Sequence, residues 1–485
     1  MDVKMKKSVE RKDVVWSYIG QIVNYSVHIL LTPIISVKLS SSELGLWYTF
    51  TSIFTLVNFF DTGFSPLIMR NAAYCAGGAQ KLLKEGVQAN RQSQETSCNY
   101  GLLKTLYKTA RKLYTVMALI FWVLLLTAGI PYIRYIARTD FKDTYIVAWG
   151  IYVCGIAVNV FMIFLPAYLK GLGSIASVQK IYTIGRGGQM VLAIGGVFGG
   201  FGILALAGSF LIGNLIICVG TYIYYVLKWK RKILDAVEQM TQKEVLAILW
   251  FNAKKLGLVA IGRYCTTQGN ILICSTFLSL DMSATYGLTI QALQTAASIS
   301  MIYLQTVVPA ISAAKIEQNK EKEKKYFSTA MVIYWLLYIM AAFAVYFIAN
   351  PLLELLYANT KLLEGWLMFF AAAIFFLQYN QISFSLYIGM GNRVPYMKGE
   401  FFSGIISVIF SSLAVRFMSL GVEGILLAQF MTQLCYNDWK WPYEGCKQLC
   451  MWPGEIWRLG ISNVRRTVGL LFTGNDKCEE NGCKK

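Results

Sequence analysis

Long apolar runs separated by short polar connections dominate the chain. Twelve stand out, at 14–37, 44–69, 113–133, 145–169, 181–200, 203–227, 257–279, 284–311, 326–348, 365–391, 400–418 and 421–439. A helix needs roughly 20 apolar residues to cross a hydrocarbon core of about 30 Å. The longer runs leave room for tilt or for extension beyond the bilayer. The short alternating segments of a β-barrel are missing. The pattern predicts an all-α polytopic membrane protein with about twelve transmembrane helices. The first run follows Lys4, Lys6, Lys7, Arg11 and Lys12, as in a signal peptide. Its length, its Gln21, Asn24 and His28, and the lack of a small-residue cleavage site make it an uncleaved first helix instead.

Composition agrees. Of 485 residues, 56% are hydrophobic and 15% charged, against about 45–50% and about 25% in an average soluble domain. The net charge of +19 would suggest nucleic acid in a soluble protein. Here it reads as basic cytoplasmic loops facing anionic lipid, with no nucleic-acid partner. The distribution sets an orientation. Of the 45 lysines and arginines, 37 fall in the N-terminus, in alternate loops and in the segment from 440 onward. The opposite loops hold only Lys38, Arg134, Arg138, Lys142 and Lys361. Both termini are therefore expected in the cytoplasm, with an even number of spans. The outer loops are too short for a folded catalytic domain. None of the 11 cysteines falls outside, so disulfides are not expected. Cys446/Cys450 and Cys478/Cys483 lack C-x-x-C spacing and His28 is far away, so neither a metal site nor a cofactor is expected.

Spans one to six and seven to twelve read as two copies of one unit. Residues 39–46 (Leu-Ser-Ser-Ser-Glu-Leu-Gly-Leu) and 278–288 (Leu-Ser-Leu-Asp-Met-Ser-Ala-Thr-Tyr-Gly-Leu) join equivalent helices. Span four ends in Gly171-Leu172-Gly173 and span ten in Gly389-Met390-Gly391. Copies with an even number of spans share one orientation, which puts the symmetry axis along the membrane normal, as in transporters with parallel repeats. The chain divides into a first six-helix bundle at 1–227, a basic cytoplasmic linker at 228–256, a second bundle at 257–444 and a cytoplasmic tail at 445–485. The loop near 70–112 and the segments 228–256 and 445–470 read either as amphipathic surface helices or as solvated basic loops.

Several spans carry polar stripes. Ser17, Gln21, Asn24, His28 and Thr32 share one face of span one; Arg263, Thr267, Asn270 and Cys274 share one of span seven. Span eight adds Gln291, Gln294, Ser298 and Gln305, and span ten Gln378, Gln381 and Ser385. Such faces in hydrocarbon either bond to one another or line a hydrated cavity; their number and length favour the cavity. Its expected sign is positive. Arg186 and Arg263 lie inside spans five and seven, whereas Arg416 is near enough to an outer end to snorkel. Asp61 is the one acid well inside a span, and an Asp61–Arg ion pair is the structural alternative. Guanidinium groups suit phosphate through paired donors, so an anionic substrate is favoured. No P-loop motif is present, and one histidine makes Ser/His chemistry improbable. Uphill work then needs an ion gradient or downstream consumption.

Leu44-Gly45-Leu46-Trp47, Asp61-Thr62-Gly63-Phe64, Arg70, the polar first span, the Gly-x-Gly ends and the long basic loop after span two carry a family resemblance. The chain resembles the polysaccharide transporters, the O-antigen and oligosaccharide flippases of the multidrug/oligosaccharidyl-lipid/polysaccharide superfamily. The resemblance implies two pseudo-symmetric six-helix bundles in a V around a central cavity, working by alternating access in the bacterial inner membrane. It implies lipopolysaccharide or other polysaccharide biosynthesis, polymerase partners, and an undecaprenyl-diphosphate-linked oligosaccharide as substrate. Arg186 and Arg263 would then hold the diphosphate. Gln21, Asn24, His28, Asn270, Gln291 and Gln294 would contact the sugars, Asp61 would serve a coupling ion (H+ or Na+), and the polyprenyl tail would stay in lipid. Two alternatives stay open: a multidrug cation antiporter of the same superfamily, and a membrane polysaccharide polymerase or glycosyltransferase. The first would need acids in the cavity, the second a large outer loop or a carboxylate cluster.

Overall fold

The computed structural model describes residue 16 and residues 31–83, 98–137, 141–316, 319–356, 358–389 and 395–473. Gln21, Asn24 and His28 lie outside them, as does most of span one. The described residues form helices throughout. The first half of the chain holds α1 (31–38), α2 (Ser41–Thr62), α3 (Ser65–Ala76), α4 (Tyr100–Thr127), α5 (Gly129–Ala137), α6 (Asp143–Met162), α7 (Phe164–Gly171), α8 (Ile175–Phe198) and α9 (Gly202–Tyr225). A short α10 (Arg231–Leu234) leads to the second half: α11 (Gln242–Thr266), α12 (Gly269–Phe277), α13 (Leu280–Ser300), α14 (Ile302–Ile316), α15 (Lys320–Ala344), α16 (Asn350–Leu355), α17 (Gly365–Gly389), α18 (Met397–Phe417) and α19 (Gly421–Leu434). Two more helices follow, α20 (Asn437–Leu449) and α21 (Pro453–Thr473).

Among the described residues, seven continuous or gently bent stretches are long and apolar enough to cross a membrane, and an eighth, 242–251 with 253–277, qualifies as a pair bent by 43°. The protein is thus a multi-pass membrane protein, and its helix order accommodates twelve spans. The runs at α8 and α13 fall short of that test because Arg186 and Gln189, or Gln291 and Gln294, interrupt them. Those two helices turn out to wall the central cavity. Elsewhere apolar side chains face outward, as on α4 (Leu119, Val123) and α15 (Met340, Phe343), the surface expected toward lipid.

Local chemistry explains the breaks. Span two bends at Gly63-Phe64, just before Pro66 in the first turn of α3, and span four at Ile163, before Pro166. Proline removes one ladder donor and crowds the preceding turn. Gly63 also lies where α2 meets α11: a Cβ there would sit 2.5 Å from the Ala253 carbonyl oxygen. The repeated Leu-Ser has a physical role in both copies. The Ser40 hydroxyl accepts from the Glu43 amide (3.2 Å) to start α2, and Ser279 accepts from the Met282 amide (3.1 Å) to start α13.

Within the first half, α9 packs on α6 and α8, and α4 on α6; within the second, α18 packs on α11 and α19, and α15 on α14. The halves meet where α2 crosses α11, α12 and α13. At the end away from the basic loops Asn359 makes most of the bonds across the seam, with Thr360 adding one to Ser41 (3.1 Å). Asn359, between α16 and α17, donates from Nδ2 to the carbonyls of Val37 (3.0 Å) and Leu39 (2.7 Å), and from its amide to Ser36 (2.8 Å). Its own carbonyl accepts from the Ser41 hydroxyl (2.7 Å). It therefore satisfies the orphan carbonyls of α1 from the other half of the chain.

The basic segments are more ordered than loops. Span seven is helical from Gln242, well before the apolar run at 257, because a capping box between Thr241 and Glu244 starts the helix. Those bonds hold the exposed Glu244 carboxyl below its usual range. The stretch before it is docked: Lys104 Nζ donates to the carbonyls of Leu234 (2.6 Å) and Ala236 (2.8 Å). Beyond span twelve, α20 seats Gly445 on the Phe384 ring. α21 runs along α15, with Gly460 on the Ser328 carbonyl and Trp457 stacked on Trp335 at 5.8 Å.

Candidate functional site

A cavity of about 520 Å³ opens between the halves, within the size range of small-ligand sites. The first half supplies α1, α2, α6, α8 and α9; the second supplies α11, α12, α13 and α17. Trp47, Tyr48 and Tyr152 give it an aromatic wall, and Gln189, Gln268, Gln291, Gln294 and Gln378 a ring of amides. Arg186 and Arg263 both line it, and among the described residues no aspartate or glutamate does. Arg186, Arg263, Gln291 and Gln294 are thus brought together around one cavity.

The amides are tied across the halves. Gln291 donates to the Thr32 hydroxyl (3.1 Å), joining span eight to span one; the Ser52 hydroxyl donates to Gln268 (3.1 Å), joining span two to span seven. Gln268 donates in turn to Gln294 (3.2 Å). The polar stripes act as glue and as cavity lining together, because each amide has a donor and an acceptor to spend in different directions.

Three expectations change. Asn270 does not face the cavity. It is fully buried, with Nδ2 donating to Gln429 Oε1 (3.1 Å) on α19. The helix breaks between Thr266 and Gly269, so the stripe that begins at Arg263 does not continue on the same face. Asp61 lies outside the cavity lining and pairs with no arginine among the described residues. Its Oδ1 accepts from the Tyr114 hydroxyl and from Ser65 Oγ (2.8 Å). Asp61 is also not the only acid within the helical bundle. Glu400, at the start of α18, is 3% exposed and pairs with Arg263, Oε1 accepting from Nε (3.2 Å) and Nη2 (3.1 Å). The sequence reading passed over Glu400 because an acid at the first turn of a span looks solvated. The glycines that let α11 and α18 touch, Gly262 and Gly404, were the available signal.

The two arginines therefore differ. Arg186 Nη1 donates to Gln189 Oε1 (2.6 Å), one turn along its own helix, and no carboxylate pairs with it among the described residues. Arg263 is held by an acid and still shows 29% of its side chain to the cavity. A guanidinium partnered only by an amide keeps its full charge and free donors for a ligand.

No protein-family model matches the chain, and no curated protein does. Solved structures share its fold. A multidrug resistance MATE family transporter of the MOP superfamily, in an inward-facing conformation, aligns with 91% of this chain and 98% of its own at TM-score 0.64 and 15% identity. The lipid II flippase MurJ in an inward closed conformation covers 96% of this chain and 94% of its own at TM-score 0.59 and 12% identity. A MOP superfamily transporter from Pyrococcus furiosus, described by the reversed polarity of its binding pocket, covers 92% and 99% at TM-score 0.57 and 16% identity. The protein has the MOP-superfamily transporter fold.

Proposed function

We propose that the protein is a flippase that moves a polyprenyl-diphosphate-linked oligosaccharide across the bacterial cytoplasmic membrane, from the basic-loop side outward. One observation carries this reading: a cavity between the halves lined by Arg186 and Arg263 and, among the described residues, by no carboxylate. Two guanidinium groups in a partly dry site favour a diphosphate, whose charge they meet with paired donors. Gln291 and Gln294 are suited to sugar hydroxyls, having both donors and acceptors. The polyprenyl chain needs no site of its own, because it stays in the lipid it already occupies. A shared fold does not choose the cargo; the sign of the cavity is what supports this one. The bias of lysine and arginine toward alternate connections supports cytoplasmic termini.

The second reading is a multidrug cation antiporter, favoured by the TM-score of 0.64 to the MATE transporter. It needs an acid facing the cargo, and the cavity lining lacks one. Translocation of a fluorescent lipid-linked oligosaccharide in proteoliposomes separates the two. Wild type should flip it, and Arg186→Ala and Arg263→Ala should each lose most of the rate at equal protein levels. Full activity in both variants, or export of cationic drugs in place of the lipid, rejects the flippase reading.

A further inference from the structure

Glu400 has no part in the reading above, although it pairs with Arg263, which lines the cavity. Its Oε1 accepts from Arg263 twice and from Gln381 Nε2 (2.9 Å), and Gln381 also donates to Ser385 Oγ (2.9 Å). The backbones around it are locked. A Cβ on Gly262 would lie 2.1 Å from the Glu400 carbonyl oxygen, and one on Gly404 2.3 Å from that of Gly262. Arg263 can leave Glu400 only by swinging its side chain into the cavity.

A second carboxylate stands close by. Asp438, at the start of α20, lies near enough for its charge to act on that of Glu400. Its Oδ1 is buried and finds no hydrogen-bond partner among the described residues. The other elements against Glu400 add the Tyr396 phenol, with Arg263 6.0 Å from its ring, and the neutral side chains of Gln433 and Asn437, which reach Ser403. One guanidinium thus offsets Glu400, while Asp438 adds a second negative group beside that carboxylate. Like charges in a buried site are costly unless one carboxyl holds a proton, and the unpartnered Asp438 oxygen leaves an acceptor for it.

We propose that Glu400 competes with the anionic cargo for Arg263, and that a proton taken up by Glu400 decides the competition. In the empty cavity Glu400 neutralises Arg263 and only Arg186 presents a net charge. When a phosphate oxygen takes the Arg263 donors, Glu400 loses its counter-charge and takes a proton from water, for a buried carboxylate without a partner is expensive. Anion binding is therefore coupled to proton uptake at a group that never touches the anion. Glu400 is a positioning residue. The inference rests on the cavity being an anion site.

The probe is the dimethyl diester of diphosphate, whose two charges do not titrate between mildly acid and mildly alkaline pH. Binding to the full-length protein is followed by calorimetry, in sodium-free buffers of different ionisation heat. Wild type should take up close to one proton per diester at the alkaline end, and its affinity should rise by up to about tenfold for each pH unit lowered. Glu400→Gln should bind tightly at every pH with no proton uptake, and Asp438→Asn should shift the pH at which uptake occurs. Wild-type binding that is independent of pH, uptake that survives in Glu400→Gln, or an affinity set by added sodium overturns the proposal. Absence of binding in both wild type and Glu400→Gln instead rejects the anion site itself, and the flippase reading with it.

Discussion

Arg186 and Arg263 enter one cavity from opposite halves of the chain, yet their surroundings are unlike. On the α8 side, the guanidinium leans on Gln189, a neutral neighbour on its own helix. On the α11 side it is held by Glu400, which Gln381 braces from a third helix. The helix framework recurs in both halves, down to a capping serine before α2 and α13. The electrostatics do not recur. A scaffold constrained by packing can be copied while the charges it carries diverge, because a buried ion needs only local compensation. One side then offers a permanent charge and the other a conditional one.

Breaking this contrast should have its largest effect on stability. Arg263→Leu strands Glu400 in the helix contact and should cost about 3 kcal/mol, the low end for breaking a buried pair, since Arg263 keeps 29% of its side chain exposed. Arg263→Leu with Glu400→Leu should recover most of that loss, and Arg186→Leu should cost far less; thermal unfolding in one detergent compares all three. Equal losses for the two arginines would erase the distinction. Next in size is ligand affinity. Arg186→Gln removes charge-assisted bonds worth about 1.5–3 kcal/mol, so the diphosphate diester should bind about tenfold to a hundredfold more weakly, with its proton uptake intact. A smaller effect tests whether the halves move as units. Asn359→Ala deletes two bonds across the far seam, roughly 1–2 kcal/mol together, and should favour separation of that end, read as a longer distance between spin labels on α5 and α16. The smallest is local. Thr241→Ala removes the cap of α11 and should cost about 1 kcal/mol, leaving diester binding unchanged.

The sequence announced the lipid-facing part of the fold most clearly, because hydropathy acts on every residue of a span. Helices that line the cavity, α8 and α13, were legible through the opposite sign, as interrupted apolar runs. Arg186, Gln291 and Gln294 followed from that. Asn270 was misplaced by a spacing rule that assumes an unbroken helix, and the break at Thr267-Gln268 has no strong signature in the residues around it. Glu400 was missed for a different reason. Its partner lies 137 residues away, and only the glycine contact between α11 and α18 buries it. The seam at Asn359 could not be read at all, since its acceptors are main-chain carbonyls, which every residue possesses.

That last point has an evolutionary edge. Substitutions at 36, 37 or 39 keep the carbonyl oxygens that Asn359 grips, so drift at those positions leaves its bonds in place. The side chains of Asn359, Thr360 and Ser41 are the ones that can loosen the clasp. On the flippase reading proposed above, the bias of that end between open and closed is thereby exposed to selection through a few side chains that do not line the cavity, and resting bias and cargo choice can evolve on separate schedules.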